Sequence, residues 1–278
     1  MDHDAQVSAP IEPDTDILKS NSDEDSLYIG SLSDASYTTS ITSSARNYRT
    51  VAGITHIMKE NTSCANPGSE VIGIDLSPIQ PSWVPPNCRF EIDDFEQPWS
   101  YSQPFDYIHG RELEGFIRDH DRLFEQAFEN LNPNGWLEMA TFEPTTYSDD
   151  DTHLNAPNLL YAIEQVRESS KLFGKDMTSS PTWKDRMEKA GFVNVREDVC
   201  KLPQGPWPKD PKLKELGRYH QLNMIEAMPP YTYALFTRVL GWSRVEIEAL
   251  LAEIRKELRD TSHHLYTKVR IVYGQKSA

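Results

Sequence analysis

Four places in the sequence carry residues able to do chemistry. Asp75 ends the run EVIGID (70–75), in which Val, Ile, Gly and Ile lead into a carboxylate. In nucleotide-cofactor folds a buried strand that ends in an acid is normally the second of the sheet. Asp93 and Asp94 close a second short apolar run at 88–92; paired acids there suit a ligand and an ordinary turn equally. His109 and Arg111 lie in IHGRE (108–112). The imidazole titrates in the range of a general base, or is a satisfied structural group. Arg111 with Glu112 or Glu114 reads as a surface ion pair. The fourth place is an aromatic set, Trp207, Tyr219, His220, Tyr231 and Phe236. It suits the wall of an apolar small-molecule pocket and equally the core of a helical cap.

Metal chemistry has no pattern to stand on. The eight His form no HExxH or HxH, and Cys64, Cys88 and Cys200 have no CxxC spacing. Scattered thiols in odd number read as reduced cysteines of an intracellular protein. The expected location is cytoplasmic, with the nucleus as the alternative. A formal charge of −15 argues against nucleic acid as a partner, because such binding needs a basic face. No apolar run reaches the roughly 18 residues of a membrane span. The start, MDHDAQVSAP, lacks the apolar stretch of a secretory signal.

The elements that must position these residues begin late. Residues 1–45 hold nine acids against one lysine, with many Ser and Thr. Such a segment buries too little apolar surface to offset its ordering entropy, so it reads as a disordered tail, with contact to a protein partner as its other use. The domain is expected over 46–278. Residues 46–68 are ambiguous: Val51, Ile54, Ile57 and Met58 recur at roughly helical spacing, and Gly53 and NTSCANPG interrupt it. Strands follow at 71–75, 88–92 and 105–112, then an amphipathic helix at 121–131, a turn at NPNG (132–135) and a strand at 136–142. This alternation with short links predicts a parallel α/β sheet. Helices are expected at 154–173 and 181–190, and strands at 192–203 and 264–276. Between those last strands, 203–262 reads as a cap of two or three helices, with Ser243 and Glu246 as a capping box.

EVIGIDLSPIQPSWVPPNCRFEIDDFEQPW, FDYIHGRELEGFIRDHDRLFEQAFENLNPNGWLEMATFE, LPQGPWPKDPKLKELGRY, ALFTRVLGW and VRIVYGQK, in that order, resemble the fungal LaeA-like class I S-adenosylmethionine methyltransferases. The likeness runs from about residue 70 to the C-terminus and touches TTSITSSARNYR (38–49). It implies a Rossmann-like, seven-stranded sheet and S-adenosylmethionine as cofactor. It implies that Asp75 takes the ribose hydroxyls, that Asp93 or Asp94 lies near the adenine, and that His109 and Arg111 stand at the mouth of the site.

The family's central first strand and the GxGxG loop after it have no counterpart in this sequence. Between residues 31 and 72 the only glycines are Gly53 and Gly68. A strand, crossover helix and strand need about thirty residues, and only 22 separate Tyr48 from Val71. Without that strand its two neighbours re-pair directly, or 46–60 substitutes, or the fold is compromised. Three functions stay open. The first is a methyltransferase of fungal secondary metabolism acting on O or N of a small molecule. The second is a non-methylating accessory that steers a pathway intermediate. The third is a regulator working through protein partners.

Overall fold

The computed structural model describes residues 6–7, 9–15, 49–54, 68–78, 84–172 and 174–278, and for 6–7 and 49–54 the backbone alone. One sheet organises them. Its strands are β1 (Gln6–Val7), β2 (Arg49–Ile54), β3 (Glu70–Asp75), β4 (Cys88–Ile92), β5 (Phe105–Arg111), β6 (Leu131–Phe142), β7 (Val193–Pro203) and β8 (Tyr266–Gln275). The order across the sheet is β1-β7-β8-β6-β5-β2-β3-β4. All neighbours are parallel except β8, which runs antiparallel between β6 and β7.

The central place is filled. Arg49–Ile54 pairs with β3 on one side (Val51 opposite Ile72, Gly53 opposite Ile74) and with β5 on the other (Ala52 opposite His109, Ile54 opposite Arg111). Of the three outcomes open at the sequence, substitution by residues from 46–60 is the one observed. The helical spacing of Val51 and Ile54 misleads there, because a position between two strands makes a short apolar segment extended. The glycine-free stretch THIMKENTSCANP (55–67) lies outside the described residues.

The helices are α1 (His120–Glu129), α2 (Pro157–Leu172), α3 (Trp183–Lys189), α4 (Pro211–Leu235) and α5 (Arg244–Arg259). Asp119 caps α1 by accepting the Arg122 N–H, and Asp121 ties α1 to α3 through Arg186 and Lys189. The apolar stripe of α1, Leu123, Phe124 and Ala127, packs with Trp183 and Met187 of α3 against Ile72, Ile74, Ile108, Leu137, Met139 and Val272 of the sheet. A second core unites α2, α4 and α5 through Leu159, Ile163, Met228, Phe236, Ile247, Leu251 and Ile254. Glu257 of α5 fastens α2 by accepting the N–H groups of Asn158 and Leu159 at 3.0 and 2.8 Å.

Two local readings change. NPNG is a bulge inside β6: the register with β5 jumps from Phe105–Leu131 to Tyr107–Trp136. Part of the segment expected to be a solvated tail is ordered against the domain. Gln6–Val7 pairs with Asp198 and Val199, the Asp14 N–H donates to the Trp207 carbonyl at 2.8 Å, and Lys209 N–H to that of Glu12 at 2.9 Å. Residues 16–48, the rest of that expectation, lie outside the described residues.

Candidate functional site

β2, β3, β4 and β5 run the same way, so their carboxyl ends share one edge. Chain order reverses about β2: β3 and β4 continue to one side, β5 and β6 to the other. Open α/β sheets bind ligands outside the carboxyl ends at such a switch point. The register puts Asp75 beside Ile92 on one flank and Arg111 beside Ile54 at the centre.

Asp75 is half-buried at the end of β3 and accepts the Ser77 N–H at 2.8 Å. Asp93 follows β4 and extends the ladder, its N–H donating to the Asp75 carbonyl at 3.1 Å. The two residues thus sit on adjacent strand ends, and the Asp93 carboxylate accepts the Asp94 N–H at 2.8 Å. Asp94 belongs to its own turn, accepting from Glu96 N–H at 3.0 Å and from the Gln97 side chain at 3.3 Å. Acids at the tips of adjacent strands suit the hydroxyls and amino group of a nucleoside, so the donor set fits that half of S-adenosylmethionine.

Arg111 ends β5 and is exposed. His109 lies two residues before that end. Its Nδ1 is 3.1 Å from a carboxylate oxygen of buried Glu138 and 3.5 Å from the Tyr107 hydroxyl. It is held within the sheet by a carboxylate partner, the arrangement of a structural His as much as of a base.

Two carboxyls that the sequence reading placed in a surface ion pair are drawn inward, Glu114 fully and Glu112 in part. Glu114 is 5% exposed; Oε1 accepts from Ser180 N–H at 2.6 Å and from Ser179 Oγ at 3.3 Å, and Oε2 has no partner. Burial without a cation pushes its carboxyl up to about 7. Glu112 comes directly after Arg111 with a left-handed backbone (φ 54°), rare for a non-glycine residue. Its N–H still bonds the Ala140 carbonyl at 2.9 Å, and its Oε2 accepts from Thr141 Oγ1 at 3.4 Å. Burial raises it to about 7, against the opposing charge of Arg111 and a bond from the Phe142 N–H. Sequence reasoning missed its setting. The available signal was an acid placed immediately after the residue that ends β5.

The aromatic set does not form one pocket. Trp207 is buried, its indole N–H donating to the Leu265 carbonyl at 2.8 Å. Phe236 is fully buried, edge-on to Trp242. Tyr219 is exposed on α4. His220 is buried against Phe142 with no partner for Nε2, and burial lowers its imidazole to about 4. Tyr231 is half-exposed, and burial of its hydroxyl and the charge of Glu112 both raise it. Eleven residues of helix, about 16 Å, separate it from His220. Among the described residues no cluster of three or more His, Cys, Asp or Glu could hold a metal, and no helix is long and apolar enough to cross a membrane.

The profile of the family described as "Methyltransferase domain" matches residues 56–197, just over half the chain. Methyltransferase pytC of Aspergillus terreus is 37% identical over 203 residues, which cover 73% of this chain and 63% of pytC. Probable methyltransferase tdiE of Emericella nidulans is 32% identical, over 77% of this chain and 67% of tdiE. Secondary metabolism regulator laeA of Monascus pilosus is 30% identical, over 76% of this chain and 58% of laeA. The chain thus spans less than two thirds of the length of pytC. With its Rossmann-like sheet and these relatives, the chain belongs to the class I methyltransferase-domain family, in the fungal group that includes pytC, tdiE and the laeA regulators.

Proposed function

We propose that this chain is an S-adenosylmethionine-dependent methyltransferase of fungal secondary metabolism that methylates O or N of a small molecule. The observation that carries the reading is the pair Asp75 and Asp93 at the switch-point edge, where carboxylates accept ribose hydroxyls and an adenine amino group. S-adenosylmethionine would supply an electrophilic methyl group there. The chain's own part is alignment: Asp75 and Asp93 fix the nucleoside, while Arg111, Glu112 and Tyr231 border the acceptor side. Transfer needs above all the acceptor atom and methyl in line. Methyl-labelled S-adenosylmethionine, incubated with the chain and a fungal small-molecule extract, tests it. Label is expected in an extractable product with wild type and not with Asp75→Ala. Absence of label with folded wild type removes the reading.

A second reading is favoured by one sequence fact, the lack of any glycine in 54–67. A glycine lets the backbone approach a cofactor closely. Without it, a cofactor-free accessory that binds a pathway intermediate follows, and the intermediate would bind equally with and without S-adenosylhomocysteine. Regulation through a protein partner of the acidic 1–45 segment is the third reading. A deletion of 16–45 that leaves secondary-metabolite output unchanged would sink it.

A further inference from the structure

We propose that Glu112, on the carboxyl edge beside Tyr231 of α4, takes the proton from the methyl acceptor. The proposal rests on the methyltransferase reading above. Three features of the position carry it. Glu112 is the first residue past β5, one step beyond the pairing of Arg111 with Ile54 at the switch point. Its φ of 54° is a strained conformation for a residue with a side chain, of the kind that collects at functional sites. Its carboxyl is held at the strand end by Thr141 Oγ1 and the Phe142 N–H, and the residue is half-buried where Glu114 is buried outright.

The Arg111 guanidinium from its own strand end and Tyr231 of α4 act on it electrostatically, and the Thr141 hydroxyl of β6 donates to it. A carboxyl poised near 7 by burial can accept and release a proton at neutral pH. The competing base, His109, is turned to Glu138 within the sheet.

The acceptor's O–H or N–H bond breaks, its proton goes to a Glu112 oxygen and the bond's electron pair stays on the acceptor atom. That pair forms the new bond to the methyl carbon, and the carbon–sulfur pair leaves with sulfur. Glu112 then passes the proton to water.

The test has two arms. The first is infrared titration of the Glu114→Gln protein, which removes the other carboxyl expected near 7. A carboxylic-acid C=O band should titrate near neutral pH and vanish in the Glu112→Gln, Glu114→Gln double variant. The second arm uses the labelled-methyl assay with fungal extract. Glu112→Gln should lose about 100-fold or more in rate at pH 7, regain much of it at high pH where the acceptor ionises unaided, and bind S-adenosylhomocysteine like wild type. Glu112→Asp should keep part of the rate. A Glu112→Gln protein with the wild-type pH profile, or a Glu112 ionised throughout the titration, overturns the proposal. If wild type transfers no label, the methyltransferase reading fails, and the infrared arm alone decides whether Glu112 is a proton-accepting group of this edge.

Discussion

Glu114 shows how a side chain fares when it is buried with hydrogen bonds and no cation. Its folded value near 7 lies above the usual 4.5. A folded state that holds a proton the unfolded state has lost is stabilised by low pH. The contribution is full below about pH 4.5 and gone above about pH 7, amounting to about 3 kcal/mol at most. Chemical denaturation of wild type should therefore show stability falling across that window, and Glu114→Gln should flatten the fall. A curve unchanged in Glu114→Gln would place the shift elsewhere. His109 offers a second test at this scale. His109→Ala leaves Glu138 buried without its partner, so stability should drop by about 1–3 kcal/mol, whatever happens to activity. Asp75 was legible in the sequence because strand-end acids announce themselves by pattern. Glu112 was not, because its meaning depends on a backbone turned to positive φ and on neighbours from β6 and α4, twenty-nine and more residues away.

Capping and close approach fix the helices, and these differ in how far sequence reveals them. The Ser243–Glu246 box was readable, and the structure forms it in both directions. Ser243→Ala should cost about 1 kcal/mol in thermal unfolding. Asp210 and Pro211 start α4: Asp210 accepts the N–H groups of Lys212 and Leu213, both at 2.9 Å. The length of α4 was not readable. Pro229 and Pro230 each remove a helical N–H, which argues for a break. The helix continues because the second core holds both halves, Met224 and Ile225 before the prolines and Tyr233 and Leu235 after them. Gly217 is fixed by packing alone. A Cβ there would come within 2.0 Å of the Gly205 carbonyl oxygen, a backbone atom that cannot step aside. Gly217→Ala should destabilise by about 1–3 kcal/mol, although alanine is the better helix former. A stabilised Gly217→Ala protein would show that α4 does not rest on the 203–205 turn.

Over the whole molecule, topology outweighs local pattern. Parallel strands at 70–142 were evident from alternation, yet the strand at the centre of the sheet came from a segment with ambiguous spacing. At the other side, residues 6–7 pair with the edge strand β7, and residues 12–14 bond the segment that follows it. Asp14 pairs with Lys214 and Glu12 with Lys209, and the Ile11 N–H meets Asp149 at 3.2 Å. An uncovered strand edge is a template for unwanted pairing. Deleting residues 1–15 should lower the unfolding temperature by a few degrees, the effect of about 1 kcal/mol in a domain this size. It should also speed amide exchange at Asp198–Cys200. Unchanged exchange there would mean that the N-terminal segment does not protect β7.

The claim on which the rest depends is that the carboxyl edge still binds the cofactor without the glycine loop. Calorimetric titration of the 278-residue chain with S-adenosylhomocysteine, alongside Asp75→Ala, tests it most directly. Micromolar binding at one site, lost in Asp75→Ala while the fold is kept, is the predicted result. No heat of binding from a folded wild-type chain, or equal binding by Asp75→Ala, would contradict it.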